Sequence, residues 1–190
     1  MDVILASQSP RRKELLGQMG LSFEIVVPHI DEHMDRALAP DQLVEAISAE
    51  KAAAVVGQVG PDKVVIAADT VVVLDGAVLG KPMDEADAKR MLAALSGRHH
   101  QVYTGFTVRR GEKTITRSER SEVVFRELDS SEIDAYVRTG EPMDKAGSYG
   151  IQGLGGLLVE GIRGDYFNVM GLPVCHLGQV LKEFGINCLA

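Results

Sequence analysis

The run VVIAADTVVVL, residues 64–74, constrains this chain more than any other stretch. It is β-branched and nearly continuous, so it reads as a buried strand, interrupted only by Asp69 and Thr70. Asp75-Gly76 follows it, a dipeptide that favours the two-residue turn of a β-hairpin. A buried strand needs cover on its faces, and the remaining sequence offers that cover as helices alternating with further strands.

Val3–Ala6 reads as a short strand, Arg11–Met19 as a helix opened by Pro10 and stopped by Gly20, and Phe23–Val27 as a second strand. His29–Pro40 is polar and acidic and reads as a loop. Asp41–Val56 reads as a longer helix, with apolar Leu43, Ile47 and Val55 and many alanines. Asp84–Leu95 is a helix with an acidic first turn and Gly97 just past its end. Gln101–Arg109 and Thr114–Phe125 form a long hairpin around Gly111. Asp129 and Glu132 have capping-box spacing for a helix that runs to about Arg138. Glu141–Gly156 is Gly-rich and irregular, Leu157–Ile162 is a strand, and Pro173 opens a last helix ending near Phe184. Interleaved helices and strands with two hairpins predict a mixed α/β sheet flanked by helices. The chain has 190 residues, which predicts one domain over 1–190, at about 100–200 residues per domain.

The formal net charge of −7 argues against a nucleic-acid binder, which needs an excess of Lys and Arg, but leaves room for a local basic site. Cys175 and Cys188 have no metal-ligand spacing and read as reduced thiols. No secretory signal opens the chain, and the longest apolar runs fall far short of the roughly 20 residues a membrane span needs. The expectation is a cytoplasmic protein with no membrane partner.

Four segments carry candidate chemistry. In SQSPRRKELL, Ser7 and Ser9 precede a helix whose first turn holds Arg11, Arg12 and Lys13. Cations there oppose the helix dipole by about 0.3–1 kcal/mol each, and free N–H groups at a helix start attract anions. The segment reads either as a polyphosphate cradle or as a solvated basic helix end. Asp69 interrupts a buried strand, so it must be paired, exposed at a strand end or bound to a metal; the alternative is a turn between two strands. Gly80-Lys81-Pro82 holds a Lys on a stiff backbone, although a surface turn has the same composition. Lys51 reads either as a ligand contact or as part of a solvated helix face, and Asp31 and Glu32 either as oxygen ligands for Mg²⁺ or as solvated acids.

The fourth segment is DKAGSYGIQGLGG, residues 144–156. Its glycines would let backbone approach a flat ligand, and the Gln152 amide matches the adjacent N–H and C=O groups on the pairing edge of uracil or thymine. The alternative is a flexible loop. His99 and His100 are neighbours on a strand, point to opposite faces and are assigned no metal. No Walker A loop is present.

The ordered set LASQSPRRKELL, Asp31-Glu32, Glu50-Lys51-Ala52, AADTVV, LGKP, LSGRHHQVYTG, TGEPMDKAGSYGIQG and NVMGLP spans nearly the whole chain. It closely resembles the Maf family of nucleotide pyrophosphatases. Ala67 stands where Gly is common in the family, and Gln8 where Gly or Asn-like residues are common; both departures are conservative. The resemblance implies an elongated mixed sheet with helices on both sides and a central cleft, similar to the inosine-triphosphate pyrophosphatases, and a homodimer. It implies hydrolysis of a nucleoside triphosphate, dTTP or UTP, to the monophosphate and pyrophosphate, with Asp69 as proton acceptor. Arg11, Thr70 and Gln152 match the positions that select substrate in the dTTP/UTP branch. Ser7, Arg11, Arg12, Lys51 and Lys81 would hold phosphate, and Glu32 and Asp69 would hold Mg²⁺ or Mn²⁺. The family's link to septum formation leaves a second function open, a nucleotide-sensing regulator of division.

Overall fold

The 64–74 run forms one strand along its whole length, and both residues of the Asp75-Gly76 turn adopt positive φ, 50° and 78°. A two-residue turn of that kind matches the twist of the strands it joins, which is why Asp-Gly is favoured there. The computed structural model describes residues 2–30 and 37–189. Asp31 and Glu32 therefore lie outside the described residues.

The strands are β1 (Val3–Ala6), β2 (Phe23–Ile25), β3 (Val64–Leu74), β4 (Ala77–Leu79), β5 (His99–Arg110), β6 (Lys113–Phe125) and β7 (Val159–Arg163). The helices are α1 (Pro10–Gln18), α2 (Pro40–Val59), α3 (Glu85–Leu95), α4 (Ser130–Arg138), α5 (Tyr166–Met170) and α6 (Val174–Glu183). Seven strands make one mixed sheet in the order β2-β1-β3-β5-β6-β7, with β4 on the side of β3. β1 runs parallel to both β2 and β3, whereas β4 on β3 and β7 on β6 are antiparallel. The mixed α/β class predicted from interleaving is the class observed.

Local rules account for most element ends. Ser9 caps α1, with Pro10 in its first turn, and Asp84 caps α3 by accepting from the Asp87 amide at 2.8 Å. The Asp129–Glu132 capping box closes in both directions, at 2.9 and 3.1 Å. The sequence reading starts the last strand too early, because Leu154–Leu158 is wound into a 3₁₀ turn before β7. It also passes over α5, a five-residue helix too short for periodicity to mark.

The chain divides into two compact units, one of residues 1–69, 104–119 and 171–190, the other of 70–103 and 120–170. In the first, Ile4, Ala6, Ala52, Val55, Val65 and Ala67 form a buried cluster in which α2 packs on β1 and β3. In the second, Leu92, Leu95, Val123, Phe125, Val137 and Tyr149 belong to the core. Among the described residues no helix is long and apolar enough to cross a membrane, and Cys175 and Cys188 are free thiols.

His100 lies inside the second unit, 1% exposed, with Nε2 2.8 Å from the Tyr149 hydroxyl and its ring edge-on to Phe125 and Tyr149. Burial, and secondarily the charge of His99, lowers its pKa from 6.5 to about 4. The folded protein thus keeps His100 neutral between pH 6.5 and pH 4, while the unfolded chain protonates it. The resulting stability is fully present above pH 6.5 and is lost as pH falls toward 4, about 3 kcal/mol across that window. Urea midpoints measured from pH 7 to pH 4 should fall more steeply for the native chain than for His100→Phe. Parallel curves would show that His100 does not carry the acid sensitivity.

Candidate active site

The parallel register of β1 and β3 sets Ala6 beside Ala67. The chain leaving β1 therefore enters the Ser7–Pro10 loop close to Ala68 and Asp69 on β3. In open α/β sheets, ligands bind at the carboxyl ends of parallel strands, where loops and helix starts converge.

The loop is ordered by its own side chains. The Ser9 amide donates to Ser7 Oγ at 3.1 Å, and the Arg12 amide donates to Ser9 Oγ at 3.4 Å. Arg12 Nη1 lies 3.5 Å from Ser7 Oγ, and its Nε donates to the Gly171 carbonyl at 2.8 Å. The chain just before α6 thus fixes the Arg12 guanidinium over the start of α1. Ser7 is buried and Arg11 half-buried. Arg12 is thus an ordered cation at this helix start, whereas Lys13 is exposed as a solvated basic end would be.

Lys51 projects from the inner face of α2, and its Nζ donates to Asp69 Oδ1 at 2.7 Å. The side chains are 8% and 13% exposed. The solvated-face alternative for Lys51 is therefore overturned. Its place follows from spacing: Leu43, Ile47, Lys51 and Val55 are four apart, so Lys51 continues an apolar row of the helix. A cation in that row must meet an anion, since burying a lone charge costs several kcal/mol. Asp69 is that anion, and the turn alternative for Asp69 also fails, because β3 continues through it.

In the second unit, Thr70 is half-buried, while Lys81 and Gln152 are exposed. The Gly147 amide donates to the Gly80 carbonyl at 3.0 Å, which sets the Gly80–Pro82 turn beside the Gly-rich segment. Five of the predicted residues, Ser7, Arg11, Arg12, Lys51 and Asp69, share the first unit, and Thr70, Lys81 and Gln152 share the second. Glu32 falls outside the described residues.

Sequence reasoning missed Glu141. Its Oε1 accepts from the Tyr136 hydroxyl at 2.8 Å and the Gly155 amide at 3.0 Å, and its Oε2 accepts from the Leu154 amide at 3.0 Å. Burial pushes this carboxyl up, but those donors and Lys145 outweigh it and hold the group below its ordinary range. The Gly-rich turn shows in the sequence that its amides need acceptors, but nothing there points to an acid thirteen residues before them.

Among the described residues no three His, Cys, Asp or Glu side chains cluster as metal ligands. Of the two predicted ligands only Asp69 is described; its carboxylate offers hard oxygen donors, with Oδ1 already accepting from Lys51 Nζ at 2.7 Å. Mg²⁺ is commonly held by one or two carboxylates, with substrate phosphates and waters completing its shell.

The family model for Maf-like proteins matches residues 2–184. The chain belongs to that family. A dTTP/UTP pyrophosphatase of Bacillus cereus (strain AH820) is 49% identical over 185 residues, covering 97% of this chain and 96% of the relative. A dTTP/UTP pyrophosphatase of Bacillus anthracis matches at the same identity and coverage. Among solved structures, the Staphylococcus aureus Ham1 protein aligns with a TM-score of 0.47 and 14% identity over 66% of this chain and 72% of that one. A nucleoside-triphosphatase, dITP/XTP pyrophosphatase, of Mycobacterium abscessus aligns with a TM-score of 0.46 and 17% identity over 97% of both chains. The AADTVV strand and the GIQG turn both lie within the matched residues.

Proposed function

We propose that this Maf-like chain hydrolyses dTTP and UTP to the monophosphate and pyrophosphate. The observation that carries the reading is the Lys51–Asp69 pair, only 8% and 13% exposed, at the carboxyl end of the parallel β1–β3 pairing, from which the chain leaving β1 runs into the Arg11-Arg12 helix start. The high identity to dTTP/UTP pyrophosphatases supports the substrate class.

Cleavage between the α- and β-phosphates needs an oriented water, a base and positive charge on the leaving pyrophosphate. Asp69 takes the proton of the attacking water. Lys51, on Oδ1 of that carboxylate, fixes its direction. Arg12, held by the Gly171 carbonyl, and its neighbour Arg11 bind phosphate oxygens, with Ser7 beside them and Lys81 on a separate turn. Bidentate guanidinium contacts suit such oxygens better than a point charge does. Asp69 and Glu32 would hold a divalent cation, Mg²⁺ or Mn²⁺, which when bound neutralises phosphate charge. A cytoplasmic homodimer belongs to the same proposal, on family likeness alone.

Thr70, Arg11 and Gln152 select the base. Gln152 pairs with N3–H and O4, which dTTP and UTP share, whereas cytosine inverts that pattern. Losing a neutral hydrogen bond costs about 0.5–1.5 kcal/mol, more if the partner stays buried and unsatisfied. Gln152→Ala should therefore lower kcat/KM for dTTP and UTP alike by roughly 3- to 100-fold, and far less for the slow cleavage of other triphosphates. Pyrophosphate release measured on dTTP, UTP, CTP and GTP tests both claims. No release from dTTP or UTP by the native chain would sink the activity, and equal losses on all four in the variant would sink base reading by Gln152.

A further inference from the structure

The glycines of GIQGLGG do not all face outward toward a ligand. A Cβ on Gly153 would lie 2.6 Å from the Glu141 carboxyl carbon and closer still to Oε2, and one on Gly155 would lie 2.6 Å from the Tyr136 hydroxyl oxygen. A Cβ on Gly150 would lie 2.6 Å from the Lys145 side chain. The turn that carries Gln152 is thus seated on the protein's own Glu141, Tyr136 and Lys145, and bare backbone is what lets it sit there.

Glu141 is itself tethered from both ends. Its amide donates to Thr139 Oγ1 at 3.1 Å, and its carbonyl accepts from Lys145 Nζ at 2.6 Å. Its carboxylate takes the Leu154 and Gly155 amides just after Gln152, while the Tyr136 hydroxyl it accepts from also accepts from the Gly150 amide just before it, at 3.1 Å. The Gln152 turn is therefore gripped on both sides by one carboxylate–phenol pair. A tight turn without its own ladder of hydrogen bonds holds one conformation only if outside acceptors take its amides.

We infer that Glu141 is a positioning residue for substrate selection: with Tyr136 it holds the 150–156 turn in the conformation that presents Gln152 to the pyrimidine. This rests on the reading of Gln152 as the base-recognising residue. The carboxylate touches no reacting atom, so its loss acts through the fraction of molecules with the turn correctly placed. Apparent affinity falls by that fraction, while turnover of the bound complex is largely kept.

The test uses the full chain as Glu141→Gln, which keeps the size but turns an NH₂ toward an amide donor. KM for dTTP and UTP should rise about tenfold, with kcat within about threefold of native and GTP cleavage unchanged. Tyr136→Phe removes only the bridging hydroxyl and should raise the same KM values by about threefold, which keeps the test decisive if Glu141→Gln folds poorly. In the double variant Glu141→Gln/Gln152→Ala the losses should fail to add, since both remove one contact with the base. Equal losses on dTTP, UTP, CTP and GTP, or additive losses in the double variant, would overturn the positioning role. A selective Gln152→Ala beside an unselective Glu141→Gln sinks this inference alone. An unselective Gln152→Ala sinks the base-reading proposal, and this inference with it.

Discussion

Replacing Asp69 by Asn is expected to lower turnover by at least about 10²-fold, the lower end of what a general base contributes. The amide keeps the shape and can still accept from Lys51, but it cannot take a proton from water. KM should change much less than kcat, because the phosphates are held by Arg11, Arg12 and their neighbours in this proposal. Stability also falls. Lys51 is almost fully buried on Asp69 Oδ1, and breaking such a pair by removing one partner costs about 3–5 kcal/mol. The residual Asn oxygen keeps the loss at or below the low end of that range. Activity must therefore be read well below the variant's melting temperature, with folding checked by circular dichroism. Near-native pyrophosphate release at that temperature would place the base elsewhere and leave Asp69 as the structural partner of Lys51.

The elements with local causes are legible in the sequence. Residues 64–74 read as strand, with a turn at Asp69 the one alternative, Asp75-Gly76 favoured a tight hairpin turn, and the Asp129–Glu132 spacing marked the start of α4. The site was legible in part. Asp69 stood out because a carboxylate inside an apolar run demands a partner. The partner was harder to see, although the four-residue spacing of Leu43, Ile47, Lys51 and Val55 already put that lysine in an apolar row. The alanines around it diluted the pattern, and a mid-helix lysine is more often part of a solvated face. Glu141 left no such trace. Its role depends on amides of residues 154 and 155, and no periodicity ties an acid to a turn thirteen residues on. The glycines were seen, but what they approach is set by tertiary packing.

Gly105→Ala should produce the largest loss of folding stability, and the cause also reaches the active site. β5 passes so close beneath α2 that a Cβ on Gly105 would lie 2.7 Å from the Glu45 amide nitrogen and nearer still to the Val44 carbonyl. These are backbone atoms of a buried helix turn, which no rotamer change can clear. The helix must lift by on the order of 1 Å to restore van der Waals contact. Overpacking of this kind costs typically 1–3 kcal/mol and occasionally more; with backbone on both sides, about 3 kcal/mol is expected. For a chain of 190 residues that lowers Tm by roughly 6–12 °C. The same lift strains Ser48 Oγ, 2.8 Å from Thr107 Oγ1, which in turn lies 2.9 Å from Thr116 Oγ1. Ser48 is one turn before Lys51 on the inner face of α2, so Lys51 shifts with it relative to Asp69. Misplacing a catalytic constellation by about 1 Å can cost 10²-fold in rate, so turnover should fall even in the folded variant, with GTP and dTTP affected alike because the base-reading turn is untouched. Thermal melts, and pyrophosphate release measured about 20 °C below the variant's Tm, separate the two effects. A melting temperature within about 2 °C of native, with unchanged turnover, would mean that Gly105 does not set the depth of α2 and that Lys51 is held against Asp69 by their own attraction.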